Sequence, residues 1–255
     1  MRERGLGCVV RTVDFIAHRG SSHLASENTL AAFRLGWKET ATCELDVRAT
    51  GDGRVLVVHD ETTLRTTGVD LAVARHSLAE LQVLDAGAWK AAAWRGEKMP
   101  ALAEVLAAMP VRKRLLIEIK GGPAIVPELA RLIEASGRIA SVALQSFDAE
   151  TCAESKAALP KVPVYLLAWL GKERQEASKA WAKALATARK KNLDGLGVNP
   201  APNLSERLVA DLHAEKLQLN VWTIDGVAVA RRLVRLGVDG IITNRPGWLK
   251  ARVAA

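Results

Sequence analysis

Short runs of apolar, strand-forming residues alternate with helical patterns along almost the whole chain. This alternation is typical of βα units that build a parallel sheet. The eight predicted strands span 14–18, 43–47, 115–119, 141–145, 163–168, 195–198, 218–222 and 239–242. Most are separated by predicted helices, at 28–38, 125–136, 149–158, 174–191, 204–214 and 226–236. The pattern predicts an α/β protein with a (β/α)8 TIM barrel, and a doubly wound open sheet is the alternative.

One further run interrupts the alternation. The sequence RVLVVHD at 54–60 follows the second predicted strand after a Gly-Asp-Gly turn. A turn this short predicts a hairpin, not a helical crossover. The chain then continues from about 61 to 112 before the next barrel strand, with helices predicted near 77–84 and 100–108. We therefore expect a small insertion after the second barrel strand, above the mouth of the barrel.

Six titratable side chains stand at or just beyond the downstream ends of strand-like runs. A buried charge is costly unless it is paired or bound to a metal, so this placement predicts that the six side chains belong to a functional site. In a barrel of parallel strands, those ends meet at one mouth. The six are His18, Glu44, Asp46, His59, Glu118 and Lys120.

The three acids have the chemistry of a hard-metal site. Glu44 and Asp46 are two residues apart, so both point to the same side of their strand. With Glu118 they offer only oxygen ligands, which suit Mg²⁺ or Ca²⁺. The alternative is a cluster of salt bridges that these acids make with Lys120 and Arg19. Three converging acids favour the metal.

The two histidines have the chemistry of proton transfer. His18 and His59 have ordinary pKa values near 6.5, so each can take or release a proton near neutrality. Phosphodiester cleavage needs one group to activate the attacking oxygen and another to protonate the leaving alkoxide. His23, His76 and His213 lack neighbouring acids in the pattern and are interpreted as surface or supporting residues.

Composition excludes several other classes of protein. No apolar run reaches the ~20 residues of a membrane-spanning helix, and the first 15 residues lack a secretory-signal core, so we expect a cytoplasmic protein. The net charge of +8 suits anionic substrates, but aromatic residues make up only 4% of the chain, which disfavours nucleic-acid binding. Cys8, Cys43 and Cys152 are irregularly spaced and are expected to be small buried apolar residues. The chain, 1–255, is expected to form a single domain.

A set of motifs covers nearly the whole chain in order. They are HRG at 18–20, ENT at 27–29, ELDVRATGDGRVLVVHD at 44–60, RTTG at 65–68, LDAGAW at 84–89, MPALAEVL at 99–106, EIK at 118–120, QSF at 145–147, VWTID at 221–225 and GVDGIITNRP at 237–246. In these motifs the chain resembles the glycerophosphodiester phosphodiesterases, in particular the cytosolic bacterial type. Ser26 and Asn244 depart from the family pattern, which often has proline and aspartate there. We expect neither to touch the chemistry.

The resemblance implies roles for individual residues. It implies that His18 and His59 are the general acid and base, and that Arg19 and Lys120 hold the phosphate. Trp222, at the end of a barrel strand, would pack against the glycerol or the alcohol head group, and the alternative is that it fills the core. The divalent metal ion, Mg²⁺ or Ca²⁺, would be held by Glu44, Asp46 and Glu118. Glu27 would be an outer or direct ligand, and the alternative is a carboxylate at a helix N-terminus that the helix dipole favours.

The expected reaction is metal-dependent hydrolysis of glycerophosphodiesters, such as glycerophosphocholine or glycerophosphoethanolamine, to glycerol 3-phosphate and an alcohol. The expected partner is thus a small-molecule substrate, without nucleic acid or stable membrane insertion. One alternative is a phospholipase D acting on lysophospholipids or sphingolipids, with Leu84, Trp89 and Trp94 docking to the membrane. A second is a non-catalytic barrel that binds phosphorylated ligands.

Overall fold

A closed barrel of parallel strands forms the centre of the protein. The computed structural model describes residues 12–254. Its strands are β1 (Asp14–Ala17), β2 (Thr42–Ala49), β3 (Val55–Val57), β4 (Arg114–Ile119), β5 (Val142–Ser146), β6 (Val164–Ala168), β7 (Gly195–Val198), β8 (Gln218–Val221) and β9 (Gly240–Thr243). Its helices are α1 (Leu30–Glu39), α2 (Leu64–Thr67), α3 (Leu78–Gln82), α4 (Leu102–Ala108), α5 (Val126–Ala135), α6 (Ala149–Ala158), α7 (Arg174–Lys190), α8 (Glu206–Ala214), α9 (Val227–Leu236) and α10 (Pro246–Ala254).

The strand pairing closes the sheet on itself. The order is β1-β9-β8-β7-β6-β5-β4-β2, and β1 pairs with β2 to complete the ring. All of these pairings are parallel, whereas β3 pairs antiparallel with β2 alone. The predicted (β/α)8 TIM barrel is therefore confirmed, and the open sheet is excluded.

Alternation along the strands separates two environments. On β2, Cys43, Leu45 and Val47 face outward into the main core between the barrel and its helices. Glu44 and Asp46 take the intervening positions and turn toward the barrel axis, as their spacing predicts. A smaller apolar cluster of Ile16, Leu116, Tyr165 and Ile242 fills part of the barrel interior. The acids are thus held in a wall whose outer face is tightly packed.

The segment after β2 forms the predicted hairpin. Val47 pairs with Val57 and Ala49 with Val55, so the chain doubles back toward the barrel mouth. Between β3 and β4, the short helices α3 and α4 lie close to the predicted 77–84 and 100–108. This segment has its own apolar cluster, which includes Leu56, Leu81 and Met99. The hairpin therefore carries His59 back toward the strand that bears Glu44 and Asp46.

The predicted helix caps and the cysteines in the described range agree with the sequence in all but one case. The Ser/Asn-x-x-Glu pattern predicts two capping boxes, of Ser77 with Glu80 and of Asn203 with Glu206. The first is present at α3, whereas the second is wrong, because Ser205 caps α8. Cys43 and Cys152 are buried and free, as expected, and Cys8 lies outside the described residues. Among helices in the described range, none has the length and apolar character needed to cross a membrane.

Candidate active site

Three buried carboxylates converge at the mouth of the barrel. Asp46 on β2 lies directly beside Glu118 on β4 in the parallel register, and Glu44 is one inward-facing position further down β2. Each of the three residues is at least nine-tenths buried, and one ligand oxygen from each lies within 4.8 Å of the others. Glu44 Oε1 has no hydrogen-bond partner among the described residues, whereas Asp46 Oδ1 and Glu118 Oε1 face Lys120. Such converging oxygens fit a hard divalent cation.

The three carboxyl groups differ in the direction in which their surroundings shift the pKa. Burial, together with Asp46, raises the pKa of Glu118 to about 7. The same two influences raise the pKa of Glu44 well above its usual range. Burial also opposes ionisation of Asp46, but Arg19 and Lys120 outweigh it and hold the pKa of that carboxyl below its usual value. The cluster therefore retains protons near neutrality when no cation compensates its charge.

Two cations border the acids. Arg19 Nε lies 3.1 Å from Asp46 Oδ2, and Lys120 Nζ lies 3.3 Å from Asp46 Oδ1. Lys120 also forms an ion pair with Glu118. The salt bridges considered as an alternative to a metal site are thus present, but they leave Glu44 Oε1 without a hydrogen-bond partner. Ion pairing alone does not account for that buried oxygen.

The loop after β1 places Arg19 by a backbone turn. Arg19 has a φ of 55° and Gly20 a φ of 76°, both in the left-handed region. A Cβ atom on Gly20 would lie 2.5 Å from the carbonyl carbon of Ala32, so only glycine fits here. The turn directs the Arg19 backbone N–H to Glu44 Oε2, 2.9 Å away. The HRG sequence therefore orients both the guanidinium group of Arg19 and the buried carboxylate of Glu44.

His18 is fixed by a short chain of polar contacts. Its Nδ1 lies 2.7 Å from Asn244 Oδ1, and Asn244 Nδ2 donates to Asp225 Oδ2 at 2.7 Å. Because Asp225 accepts the amide N–H of Asn244, the amide oxygen of Asn244 faces His18. His18 Nδ1 therefore carries the proton, and Nε2 is the acceptor nitrogen. Burial, with the charge of Arg19, lowers the pKa of His18 to about 4. The expectation that Asn244 stands apart from the chemistry is therefore wrong.

His59 has a different environment. Its Nδ1 lies 2.5 Å from Asp60 Oδ1, and its side chain is one-third exposed. Burial lowers the pKa of His59, although Asp46 and Asp60 oppose that shift. Arg48 Nε donates to the carbonyl oxygen of His59 at 2.8 Å and so ties it to β2. His59 thus has a carboxylate partner, whereas the partner of His18 is a neutral amide.

Glu27 lies beside the site but outside the group of three converging acids. Arg19 Nη1 donates to Glu27 Oε1 at 2.7 Å. Arg65 holds both carboxylate oxygens of Glu27, at 2.9 and 2.8 Å, and its Nε bonds Asp60 Oδ2. Although burial opposes ionisation, these arginines keep the pKa of Glu27 below its usual value. The metal role of Glu27 stays a prediction. The pattern RTTG marked Arg65 without indicating this contact.

The opposite side of the mouth is aromatic. A cavity of about 270 Å³ is bordered by His18, Arg19, Glu44, His59, Glu118, Lys120, Gln145, Phe147, Trp222, Thr223 and Ile242. Its lining thus brings both histidines, both cations, two of the acids and Trp222 into one space. Phe147 and Trp222 meet edge to face, with ring centroids 5.5 Å apart. His23, His76 and His213 do not line this cavity, and His213 pairs with Asp239.

Comparison with known proteins agrees with this geometry. The sequence profile of the glycerophosphoryl diester phosphodiesterase family matches residues 18–248. A glycerophosphodiester phosphodiesterase of Caldanaerobacter subterraneus is 33% identical over 92% of this chain and 95% of its own.

Solved structures with the same fold include two phosphodiesterases. A glycerophosphodiester phosphodiesterase from Agrobacterium tumefaciens has a TM-score of 0.79 and 25% identity, covering 94% of this chain and 100% of its own. An Oleispira antarctica phosphodiesterase, in complex with the product sn-glycerol-3-phosphate, has a TM-score of 0.82 and 24% identity, with 95% and 97% covered. From the profile match and the similarity of full-length relatives, the chain belongs to the glycerophosphoryl diester phosphodiesterase family, whose members are phosphoric diester hydrolases.

Proposed function

We propose that the chain catalyses metal-dependent hydrolysis of glycerophosphodiesters to glycerol 3-phosphate and an alcohol. The observation that carries this proposal is the convergence of the buried oxygens of Glu44, Asp46 and Glu118 beside two histidines. The names of the relatives support the substrate class. The product bound to the Oleispira antarctica phosphodiesterase supports the same reaction on this fold.

The metal would be held by Glu44, Asp46 and Glu118. The unpartnered Oε1 of Glu44 and the lack of sulfur or nitrogen in the set fit Mg²⁺ or Ca²⁺. When bound, the cation supplies positive charge against the phosphoryl oxygens, whose charge grows in the transition state. Glu27 is a fourth candidate ligand: its Oε1 accepts from both Arg19 and Arg65, whereas its Oε2 accepts from Arg65 alone and is the freer oxygen for a direct bond.

We assign the base to His18 and the acid to His59. His18 donates Nδ1–H to a neutral amide, so its Nε2 can accept a proton from the attacking hydroxyl. The carboxylate of Asp60 opposes the lowering of the His59 pKa by burial, so His59 is better suited than His18 to protonate the departing alkoxide. This assignment fits attack by water and attack by a glycerol hydroxyl through a cyclic phosphate. Incorporation of solvent oxygen in one step would exclude the cyclic route.

Arg19 and Lys120 would bind the phosphate from the side of the acids. Both side chains line the cavity, and both are held in place by Asp46. Their charges would neutralise the phosphoryl oxygens without needing to move. Trp222, which lines the same cavity, would pack against the carbon skeleton of the substrate.

The test is release of glycerol 3-phosphate from glycerophosphocholine, with and without EDTA, by the chain and by its His18→Ala and His76→Ala variants. We expect activity to be lost with EDTA and in His18→Ala. His76 bonds the carbonyl of Ala72, away from the cavity, and its variant should retain activity. Activity that survives EDTA would contradict the metal dependence of the reaction. Activity in the His18→Ala variant would contradict the role of His18 as the general base.

Hydrolysis of lysophospholipids or sphingolipids is a second candidate, because Trp89 is 43% exposed. However, Trp89 Nε1 donates to Ser26 Oγ and to the carbonyl of Ala86. Trp94 Nε1 likewise donates to the carbonyl of Leu24. These rings fasten the insertion to the loop after β1, so they are poorly placed to enter a membrane. Turnover of glycerophosphocholine above that of its long-chain lyso counterpart would support the first candidate.

A cytoplasmic location stays a prediction, to be tested by cell fractionation.

A further inference from the structure

Three aromatic residues stand together on one side of the mouth. Phe147, Trp169 and Trp222 each follow directly after the last residue of a strand, β5, β6 and β8 respectively. The ring centroid of Trp222 is 5.5 Å from that of Phe147 and 6.1 Å from that of Trp169. The charged residues of the site follow or belong to β1, β2, β3 and β4. The mouth thus has a charged side and an aromatic side.

The two outer rings are unusually exposed. Trp169 is 57% exposed and Phe147 is 51% exposed, although both adjoin the active-site cavity or its lining. Exposed aromatic residues that cluster beside a binding site generally mark contact with a ligand. Phe147 has no polar atom in its side chain. The outer part of the aromatic side therefore offers π-faces in place of hydrogen-bond acceptors.

The inner part of the same side is polar. Gln145 Oε1 and Trp222 Nε1 are buried and have no hydrogen-bond partner among the described residues. Both point toward the space above Gly197, where a Cβ atom would lie 3.6 Å and 3.5 Å from them. One acceptor and one donor suit the hydroxyl groups of a polyol. The glycerol arm of a phosphodiester fits this inner position, which leaves the outer rings for the other alcohol.

We propose that Phe147, Trp169 and Trp222 bind a quaternary ammonium head group, so that the enzyme prefers choline esters of glycerol phosphate. This inference rests on the proposed function and names the alcohol that the active site accepts. Quaternary ammonium groups bind over aromatic faces by cation–π attraction and donate no hydrogen bonds. A primary ammonium, as in ethanolamine, would lose hydration without finding an acceptor on these rings. The zwitterionic substrate would match the charged and aromatic sides of the mouth.

The test compares two ligands that differ only in charge. Glycerophosphocholine and the corresponding 3,3-dimethylbutyl ester of glycerol phosphate have the same shape, since a carbon replaces the nitrogen. Both keep the anionic phosphate, and only the head group changes, from cationic to uncharged. Their dissociation constants are measured by calorimetry on the full chain carrying His18→Ala, with Mg²⁺ present, so that neither is consumed. We expect the choline ester to bind about 5- to 30-fold more tightly, the range of a cation–π contact.

Variants then locate the preference. In Trp169→Leu and in Phe147→Leu, the apolar surface remains but a π-face is lost, so the ratio of dissociation constants should fall toward one. Trp169→Phe should keep most of it. Val111 is 77% exposed and precedes β4, at the opposite end of the barrel, so Val111→Ala is the control and should keep the full ratio.

The outcomes separate this proposal from the activity itself. Equal binding of the two esters, or a preference that both leucine variants leave unchanged, would overturn the aromatic site. Tighter binding of the 3,3-dimethylbutyl ester would also overturn it and would indicate an apolar, lipid-like head group. A charge preference without any turnover by the unmodified chain would refute the proposed activity and still support the site.

Discussion

The contact between His18 and Asn244 shows how one residue can set the role of another. An imidazole with a free Nε2 is a base only when its Nδ1 is the protonated nitrogen, and a hydrogen-bond acceptor on Nδ1 enforces that form. Asn244 supplies this acceptor and is itself oriented by Asp225. An amide in this position, unlike a carboxylate, leaves the base uncharged. The two histidines of the site are thereby made chemically different.

At the residue scale we first predict that Asn244→Ala lowers kcat by about 10- to 100-fold, the value of a hydrogen bond that involves a charged group in the reaction. The substrate KM should change little, because Asn244 does not line the cavity. Steady-state kinetics on glycerophosphocholine measures both. Ser22→Ala is the matched control, because Ser22 Oγ donates to the same oxygen of Asn244. This substitution removes one hydrogen bond of Asn244 and leaves its contact with His18 in place. An equal fall in both variants would contradict the orienting role.

The second prediction at this scale concerns protons released on metal binding. Near pH 7 the metal-free cluster retains protons, because the pKa of Glu118 is about 7 and that of Glu44 is raised. A cation binds the ionised acids, so its binding should release protons, and its affinity should rise as the pH increases through about 7. Calorimetry in buffers of different ionisation enthalpy measures the release. Binding without proton release at pH 6.5 would contradict the raised pKa values.

At the scale of elements, the β2–β3 hairpin joins the two halves of the chemistry. β2 carries Glu44 and Asp46, and β3 leads to His59, whose carbonyl accepts from Arg48 of β2. The backbone N–H of Val58 also donates to the carbonyl of Asp46 at 3.0 Å. His59 and two of the three clustered acids, Glu44 and Asp46, therefore lie in one short segment that these two hydrogen bonds hold together. Loss of the hydrogen bond from Arg48 to His59 should therefore reduce the rate of proton transfer more than it reduces the affinity for the metal.

We accordingly predict that Arg48→Ala lowers kcat by about 10-fold, because a charged hydrogen bond to His59 is lost, and leaves the metal dissociation constant unchanged. Arg54→Ala is the control, since Arg54 lies exposed in the turn of the same hairpin. Kinetics and metal titration of both variants check this. A weakened metal site in Arg48→Ala would show that the hairpin supports the acids and not only His59.

The elements themselves follow well from the sequence, whereas contacts between distant residues do not. The predicted strand at 195–198 coincides with β7, and the other barrel strands differ by a few residues at most, because period-two burial is a local signal. The group of Glu44, Asp46 and Glu118 also followed, since strand ends meet at one mouth. Asn244 and His18 are 226 positions apart and meet only when β9 closes against β1. No local sequence pattern predicts which residues meet when the first and last strands pair.

At the scale of the whole molecule, the stability of the barrel should depend on the proposed metal site. The acids come from β2 and β4, which pair along six residues, and the ring is complete only when β1 joins β2 and β9. The three ligands therefore converge only in the folded barrel. A cation that binds the folded chain and not the unfolded chain must stabilise the barrel as a whole.

This linkage gives the last prediction. A cation at 100 times its dissociation constant adds about 2.7 kcal/mol to the free energy of unfolding, which should raise Tm by about 5–10 °C for a chain of this length. Glu118→Gln should reduce the rise, whereas Glu61→Gln, on a side chain that is 85% exposed, should not. Calorimetry should show one transition that moves as a unit, since the whole chain is expected to form a single domain. Two transitions, of which only one responds to the cation, would mean that the insertion or another segment unfolds independently of the barrel that holds the metal.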